Sequence, residues 1–243
     1  MREWRVLIAA AGKGSRAGLP YPKTLYPIQG RPILARILDL VKAHDACPTV
    51  VVSPSGEPHV QGMLTEQGLR AHLVQQVTPK GMGDAVMCWR QSPGWSPRAH
   101  VILIWGDVPF IQPETLEGTI QAHVAAQADF TFATRHVASA YTVVQHDGQG
   151  RVCGLIETRE EGAAAGPAPG ERDIGLFVFD ADKVLPVLQA DHPKKFGRST
   201  GEHGFLYLVG ALAELGLNVQ AVPIATELDL VSLNSMKDIE AFL

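Results

Sequence analysis

LIAAAGKGSRAGLPYPKTL, Leu7 to Leu25, passes from an apolar strand-like run into a loop of glycines, cations and prolines. Three phosphate-binding devices compete for such a loop. A Walker-type P-loop needs Gly, four residues, then Gly-Lys-Ser/Thr. Here Leu7 stands five before Gly12, and Lys13 is followed by Gly14, so that device is excluded. Gly12, Gly14 and Ala17 satisfy the dinucleotide fingerprint G-x-G-x-x-A, but that device also needs a helix starting inside the glycines. Pro20 and Pro22 forbid a regular helix there. What remains is an irregular loop, Gly12 to Pro22, with Lys13, Arg16 and Lys23 spread along it. Backbone N–H groups beside glycines and three spaced cations suit an extended polyphosphate. The bland alternative is a solvated surface loop.

Outward from this loop, β-rich and helical patterns alternate. RVLIAA, PTVVVS, AHLVQQ and HVILIWGD read as strands, while PILARILDLVKAH and PETLEGTIQAHVAAQ have helical spacing. That alternation predicts a parallel sheet covered on both faces. YTVVQHDGQGRVCGLIE, two alternating runs around Asp147 to Gly150, predicts a β-hairpin that opens a substrate-side subdomain. Arg159 to Arg172 reads as a mobile Gly/Pro/Ala loop, followed by the strand DIGLFVFDA. A second loop, DHPKKFGRSTGEHG, precedes a helix from about Phe205 to Leu215. The chain closes on the strand NVQAVPI and a short helix containing SMKDIEAFL.

The 243 residues are expected to form one domain, and a net charge of −4 without a basic run gives no support to nucleic-acid binding. Cys47, Cys88 and Cys153 lack metal-ligand spacing and read as reduced, buried thiols of a cytoplasmic protein. The apolar start is too short for an export signal, and no run approaches a membrane span. A soluble protein without membrane partners is expected.

Asp107 in ILIWGDVPF follows a buried strand, at the edge where open α/β sheets bind ligands, and Gly106 is read as leaving room beside it. A carboxylate there suits Mg²⁺; a turn or helix-cap aspartate is the alternative. The motifs AAAGKGSRAGLPYPKTLYPIQGRPIL, QQVTPKGMGDAV, WGDVPF, GLIETRE, ERDIGLFVFD and VSLNS occur in this order. Together they resemble the sugar-1-phosphate nucleotidyltransferases, and most closely the uridylyltransferase domain that makes UDP-N-acetylglucosamine.

The resemblance implies an α/β fold: a Rossmann-like, GT-A-like three-layer sandwich with a mainly parallel sheet and a small β-hairpin substrate subdomain. It implies one domain over 1–243, with a nucleotide-binding part at about 1–137 and a sugar-binding part at about 138–243. Ala9, Ala10, Ala11, Gly12, Lys13, Gln76, Gly81 and Met82 would contact the nucleotide, with Gln76 reading the base. Arg16, Lys23 and Asp107 would be catalytic. Asp107 and Asn234 would hold Mg²⁺. Trp105, Gly106, Thr142, Glu157 and Asp173 would contact the sugar. Thr142 replaces the family's glycine, Asp173 its asparagine, Met82 its threonine and Ala9 its leucine, while the arginine of the usual Tyr-Gly-Arg is absent. The departures fall on base and sugar contacts, so reaction type is more secure than substrate identity.

The implied reaction takes a nucleoside triphosphate, UTP by preference, and a sugar-1-phosphate, N-acetylglucosamine-1-phosphate or a related hexose, and releases pyrophosphate. A cytidylyltransferase with another phosphorylated acceptor is the nearest alternative; a non-catalytic nucleotide-sugar-binding regulatory subunit is another. No hexapeptide repeat occurs in the chain, so acetyl transfer is not expected, and the oligomeric state stays open.

Overall fold

The computed structural model describes residues 3–12, 18–158 and 168–242. The first half contains β1 (Trp4–Ala9), β2 (Pro27–Ile28), β3 (Arg31–Pro32), α1 (Ile33–Val41), β4 (Thr49–Val52), α2 (Glu57–Gln67), β5 (His72–Gln75), α3 (Met82–Cys88) and β6 (His100–Trp105). The second contains α4 (Pro113–Ala125), β7 (Phe130–Ala140), β8 (Thr142–His146), β9 (Val152–Glu157), β10 (Ala168–Asp180), α5 (Ala181–Gln189), α6 (Leu208–Glu214) and β11 (Val219–Val222).

A seven-stranded sheet of order β11-β7-β10-β6-β1-β4-β5 forms the middle layer. Its central strands are continuous apolar runs because both faces are buried. Successive side chains alternate between two cores: Val6, Ile8, Val50, Val52, Ile102 and Ile104 face one, while Leu7, Val51, Val101 and Leu103 face the other. Helices α1, α2 and α4 cover the first core, and α3, α5 and α6 the second. This is the expected three-layer α/β sandwich. Six strands run one way, but β10 runs antiparallel to both β6 and β7. Strands β8 and β9 form the expected hairpin outside this sheet. Its turn is tied by Asp147, whose carboxylate accepts from the N–H groups of Gln149 and Arg151.

Some local expectations are corrected. The segment read as loop as far as Arg172 is already strand from Ala168, because β10 pairs with the far half of β7. The helix expected from Phe205 begins at Leu208. The terminal helix is two short 3₁₀ turns, Met236–Asp238 and Glu240–Phe242. Cys47 and Cys88 are only partly buried and Cys153 is exposed, so none is a fully buried small hydrophobe. All three are free thiols. No helix among the described residues is long and apolar enough to cross a membrane.

Candidate active site

From β1 the chain crosses to β4 on one side, and β6 pairs on the other. Open α/β sheets bind ligands above the carboxyl ends of strands at such a switch point. The loops after β1 and β6 meet there, with Gly106 N–H donating to Ala9 C=O at 2.9 Å. A Cβ on Gly106 would stand 2.9 Å from both Ala9 O and Ala10 Cβ. The missing side chain therefore lets two loops join; it does not open room for a ligand, contrary to the sequence reading.

Above this junction lies a recess of about 120 Å³, lined by Ala9, Ala10, Gly12, Lys23, Thr24, Met82, Trp105, Gly106 and Asp107. Trp105 and Asp107 also line a wider cavity of about 610 Å³, so the two spaces share a wall. Thr142, Glu157, Asp173 and Asn234 line the wider one. Thus Lys23 and Asp107 stand at the inner end and Thr142, Glu157 and Asp173 around the outer end; of the other expected sugar contacts, Trp105 lines both spaces and Gly106 only the inner one.

Local structure explains these placements. Pro22 precedes a 3₁₀ turn, Lys23–Leu25, closed by Leu25 N–H to Pro22 O at 2.9 Å. The turn brings the Lys23 ammonium to the Asp107 carboxylate as an ion pair. Lys13 and Arg16 lie outside the described residues. Asn234 reaches the cleft because the chain around it is anchored twice. Asp229, 1% exposed, accepts from Gln112 N–H and Thr115 Oγ1 at the start of α4. Leu233 N–H donates to the backbone oxygen of Asp107 at 2.8 Å. Asn234 precedes a 3₁₀ turn whose capping box is made by Ser235 and Asp238, and its amide nitrogen donates to Ser232 Oγ at 2.9 Å. Its carbonyl oxygen and the Asp107 carboxylate both belong to residues lining the wider cavity, and hard oxygen donors of this kind fit Mg²⁺ chemically.

At the outer end, Thr142 and Glu157 are cross-strand partners of the hairpin. The Thr142 hydroxyl donates to Asp173 at 2.6 Å, and Gly175 N–H donates to the other carboxylate oxygen at 3.1 Å. Two of the residues that depart from the family pattern are therefore bonded to each other. Burial pushes the Asp173 carboxyl up, while these hydrogen bonds pull it down. When protonated, it offers one donor beside its acceptors, much as an asparagine amide does. Pairing of β10 with β7 is irregular between Asp173 and Phe177, a break that re-aims side chains at a sheet's rim. The Trp105 indole lies against Gly175 and Phe177 there.

Gln76 and Ala11 do not line either cavity. Gln76 is buried and donates its amide N–H groups to Gly81 O and Asp84, both at 2.9 Å, so it holds the Gly81–Gly83 turn from behind. Sequence reading also missed what presses on that turn. Gly83 N–H donates to His203 O at 3.0 Å, and His203 N–H donates to Lys80 O at 2.6 Å. A Cβ on Gly83 would stand 2.3 Å from Gly204 O. Two glycine-flanked loops, Gly81–Gly83 and Gly201–Gly204, were the available signal. Gly83→Ala is expected to cost about 1–3 kcal/mol in a denaturant titration, because backbone must move to accept the methyl. Unchanged stability would show that the two loops separate freely.

Two further wall residues, Thr24 and Arg172, were not foreseen. Thr24 Oγ1 and Trp105 Nε1 are buried polar atoms without a hydrogen-bond partner among the described residues. Arg172 lines the wider cavity with its guanidinium 5.5 Å from the Tyr141 ring.

The family model for the MobA-like NTP transferase domain matches residues 6–195. The bifunctional protein GlmU of Desulfitobacterium hafniense strain Y51 is 33% identical over 203 residues, covering 80% of this chain and 42% of that protein. GlmU of Alkalilimnicola ehrlichii is 28% identical over 242 residues, covering 97% and 49%. The chain thus spans about half the length of the curated relatives it matches. Among solved structures, a putative glucose-1-phosphate thymidylyltransferase from Bacillus anthracis superposes with a TM-score of 0.73. It shares 15% identity, with 98% of this chain and 93% of that one covered. The nucleoside-diphosphate-sugar pyrophosphorylase of Vibrio cholerae RC9 gives 0.72 at 17% identity, covering 98% and 99%. These likenesses bear out the GT-A-like fold expected from sequence. With that domain model covering most of its length, the chain belongs to the MobA-like NTP transferase family.

Proposed function

We propose that this chain transfers a nucleoside monophosphate, UMP from UTP, to a sugar-1-phosphate, N-acetylglucosamine-1-phosphate or a related hexose, with release of pyrophosphate. The observation that carries this reading is the cleft itself: the Lys23–Asp107 ion pair at its inner end and the Thr142, Glu157 and Asp173 cluster at its outer end. An acceptor phosphate oxygen bonds to the α-phosphorus while the bond from that phosphorus to the bridging oxygen breaks, and pyrophosphate leaves with the electron pair. The attacking oxygen is already anionic near neutral pH, so no side chain has to remove a proton. What the protein must supply is in-line positioning and positive charge between two mutually repelling anions.

In this reading Ala9, Ala10, Gly12 and Lys13 receive the nucleotide, with Met82 on the base side; Gln76 holds the Gly81–Gly83 turn from behind, and neither it nor Ala11 lines the cleft. Arg16 and Lys23 neutralise the phosphates. Asp107 and Asn234 would hold Mg²⁺, which supplies positive charge and a template for phosphate oxygens. Trp105, Gly106, Thr142, Glu157 and Asp173 receive the sugar, and Arg172 adds a cation on that side. The nucleotide part then corresponds to about 1–137 and the sugar part to about 138–243. A nucleotide-sugar-forming role, in the cytoplasm, follows from this assignment.

The test is a panel of four nucleoside triphosphates against hexose- and N-acetylhexosamine-1-phosphates with Mg²⁺, followed by pyrophosphate release. UTP with one sugar-1-phosphate is expected to give the fastest release. Release only from CTP with a non-sugar acceptor would move the chain to the cytidylyltransferases. Nucleotide binding without release from any pair would make it a binding subunit.

A further inference from the structure

At the end of the central strands opposite the cleft, His100, His123 and Asp180 converge. His100 opens β6 and Asp180 closes the antiparallel β10, so the two are register partners. His123 comes down from α4 and is 1% exposed. The three candidate ligand atoms form a triangle. His123 Nε2 lies 3.3 Å from His100 Nδ1 and 3.6 Å from Asp180 Oδ1, and His100 Nδ1 lies 2.5 Å from that same oxygen. Ligand atoms about 2.0–2.1 Å from a tetrahedral zinc ion stand about 3.3 Å apart. Two edges already have nearly that length, and the third needs to open by less than about 1 Å.

Three surrounding features aim these atoms inward. His123 Nδ1 is 3.0 Å from the buried Thr131 hydroxyl, a partner that fixes the ring and leaves Nε2 facing the triangle. Trp4 stacks on the His100 ring at 4.9 Å between centroids and meets His123 edge-on at 6.5 Å. Asp180 occupies the N-cap position of α5 yet makes no side-chain cap hydrogen bond, because its carboxylate is turned to the histidines.

We propose that His100, His123 and Asp180 form a zinc site, separate from the magnesium position of the cleft, that pins α4 to β6 and β10. Five steps of β6 separate His100 from Trp105 at the cleft, about 17 Å along the strand. Two nitrogens and one oxygen suit Zn²⁺, whereas Mg²⁺ prefers oxygen ligands, so excess Mg²⁺ should not displace it.

The test uses untagged full-length protein stripped with a chelator and titrated with Zn²⁺ in excess Mg²⁺. Calorimetry gives stoichiometry, thermal unfolding gives stabilisation, and Co²⁺ absorption reports tetrahedral coordination. One Zn²⁺ per chain, a raised melting temperature and a tetrahedral Co²⁺ spectrum are expected. His100→Asn should lose all three. Thr131→Val, nearly the same in shape and therefore expected to fold, should weaken binding about 10- to 100-fold. Asp107→Asn should bind zinc as the parent chain does. Absence of a zinc-dependent rise in melting temperature, or equal zinc affinity in the parent, His100→Asn and Thr131→Val chains, would overturn the proposal and leave a polar contact cluster without a metal role.

Discussion

Lys23→Ala is expected to lower the rate of pyrophosphate release about 10²- to 10³-fold, the usual cost of deleting a positioned charge-stabilising donor. The backbone oxygen of Lys23, which accepts from Tyr26 N–H at 3.0 Å, is unaffected by the change, so the 3₁₀ turn persists. The Lys23 side chain is only 23% exposed and its ammonium is already held against Asp107, so little ordering is left to be done when phosphates arrive. Lys23→Arg should recover part of the rate at most, because a planar fork cannot stand where a compact point charge does. Single-turnover rates at saturating nucleotide, with melting curves for each variant, are the measurement. A rate within a few-fold of the parent chain in Lys23→Ala would remove this residue from the chemistry.

Asp107→Ala should lose at least as much, about 10²- to 10³-fold, by a different route. Its backbone oxygen still receives Leu233 N–H, so the segment carrying Asn234 keeps its anchor and the fold is retained. What disappears is the carboxylate that holds Lys23 and, in the proposed function, the divalent ion. Raising Mg²⁺ should restore part of the rate in Asp107→Asn, which keeps a neutral oxygen ligand, and little in Asp107→Ala. Identical metal dependence in the parent and both variants would mean that Asp107 serves Lys23 alone. The Lys23 prediction would survive that result.

The sheet was legible because β1, β4 and β6 are apolar on both faces, a pattern that few other settings permit. Direction was not. DIGLFVFDA reads as a strand, yet whether it runs with or against β6 depends on where the preceding chain emerges. Helix α2 was missed because only Val60, Met63 and Leu64 are buried along its eleven residues, and α5 carries Pro186 in its interior. In the site, Lys23 and Asp107 stood out through local context, a proline-stiffened loop and a strand end. The Thr142–Asp173 bond joins positions 31 apart and depends on the irregular pairing of β10. Contact between the Gly81–Gly83 turn and Glu202–Gly204 spans half the chain, beyond the reach of any periodicity.

The Thr142–Asp173 pair constrains how this cleft could be redesigned. Removing the hydroxyl leaves one oxygen of the buried carboxyl without its Thr142 donor, with Gly175 N–H still on the other; an unpaired buried polar group costs about 1–3 kcal/mol. The two positions are therefore coupled: the cost of changing one is expected to depend on which residue stands at the other. A library that varies them jointly should keep folded members that one-at-a-time scanning would discard.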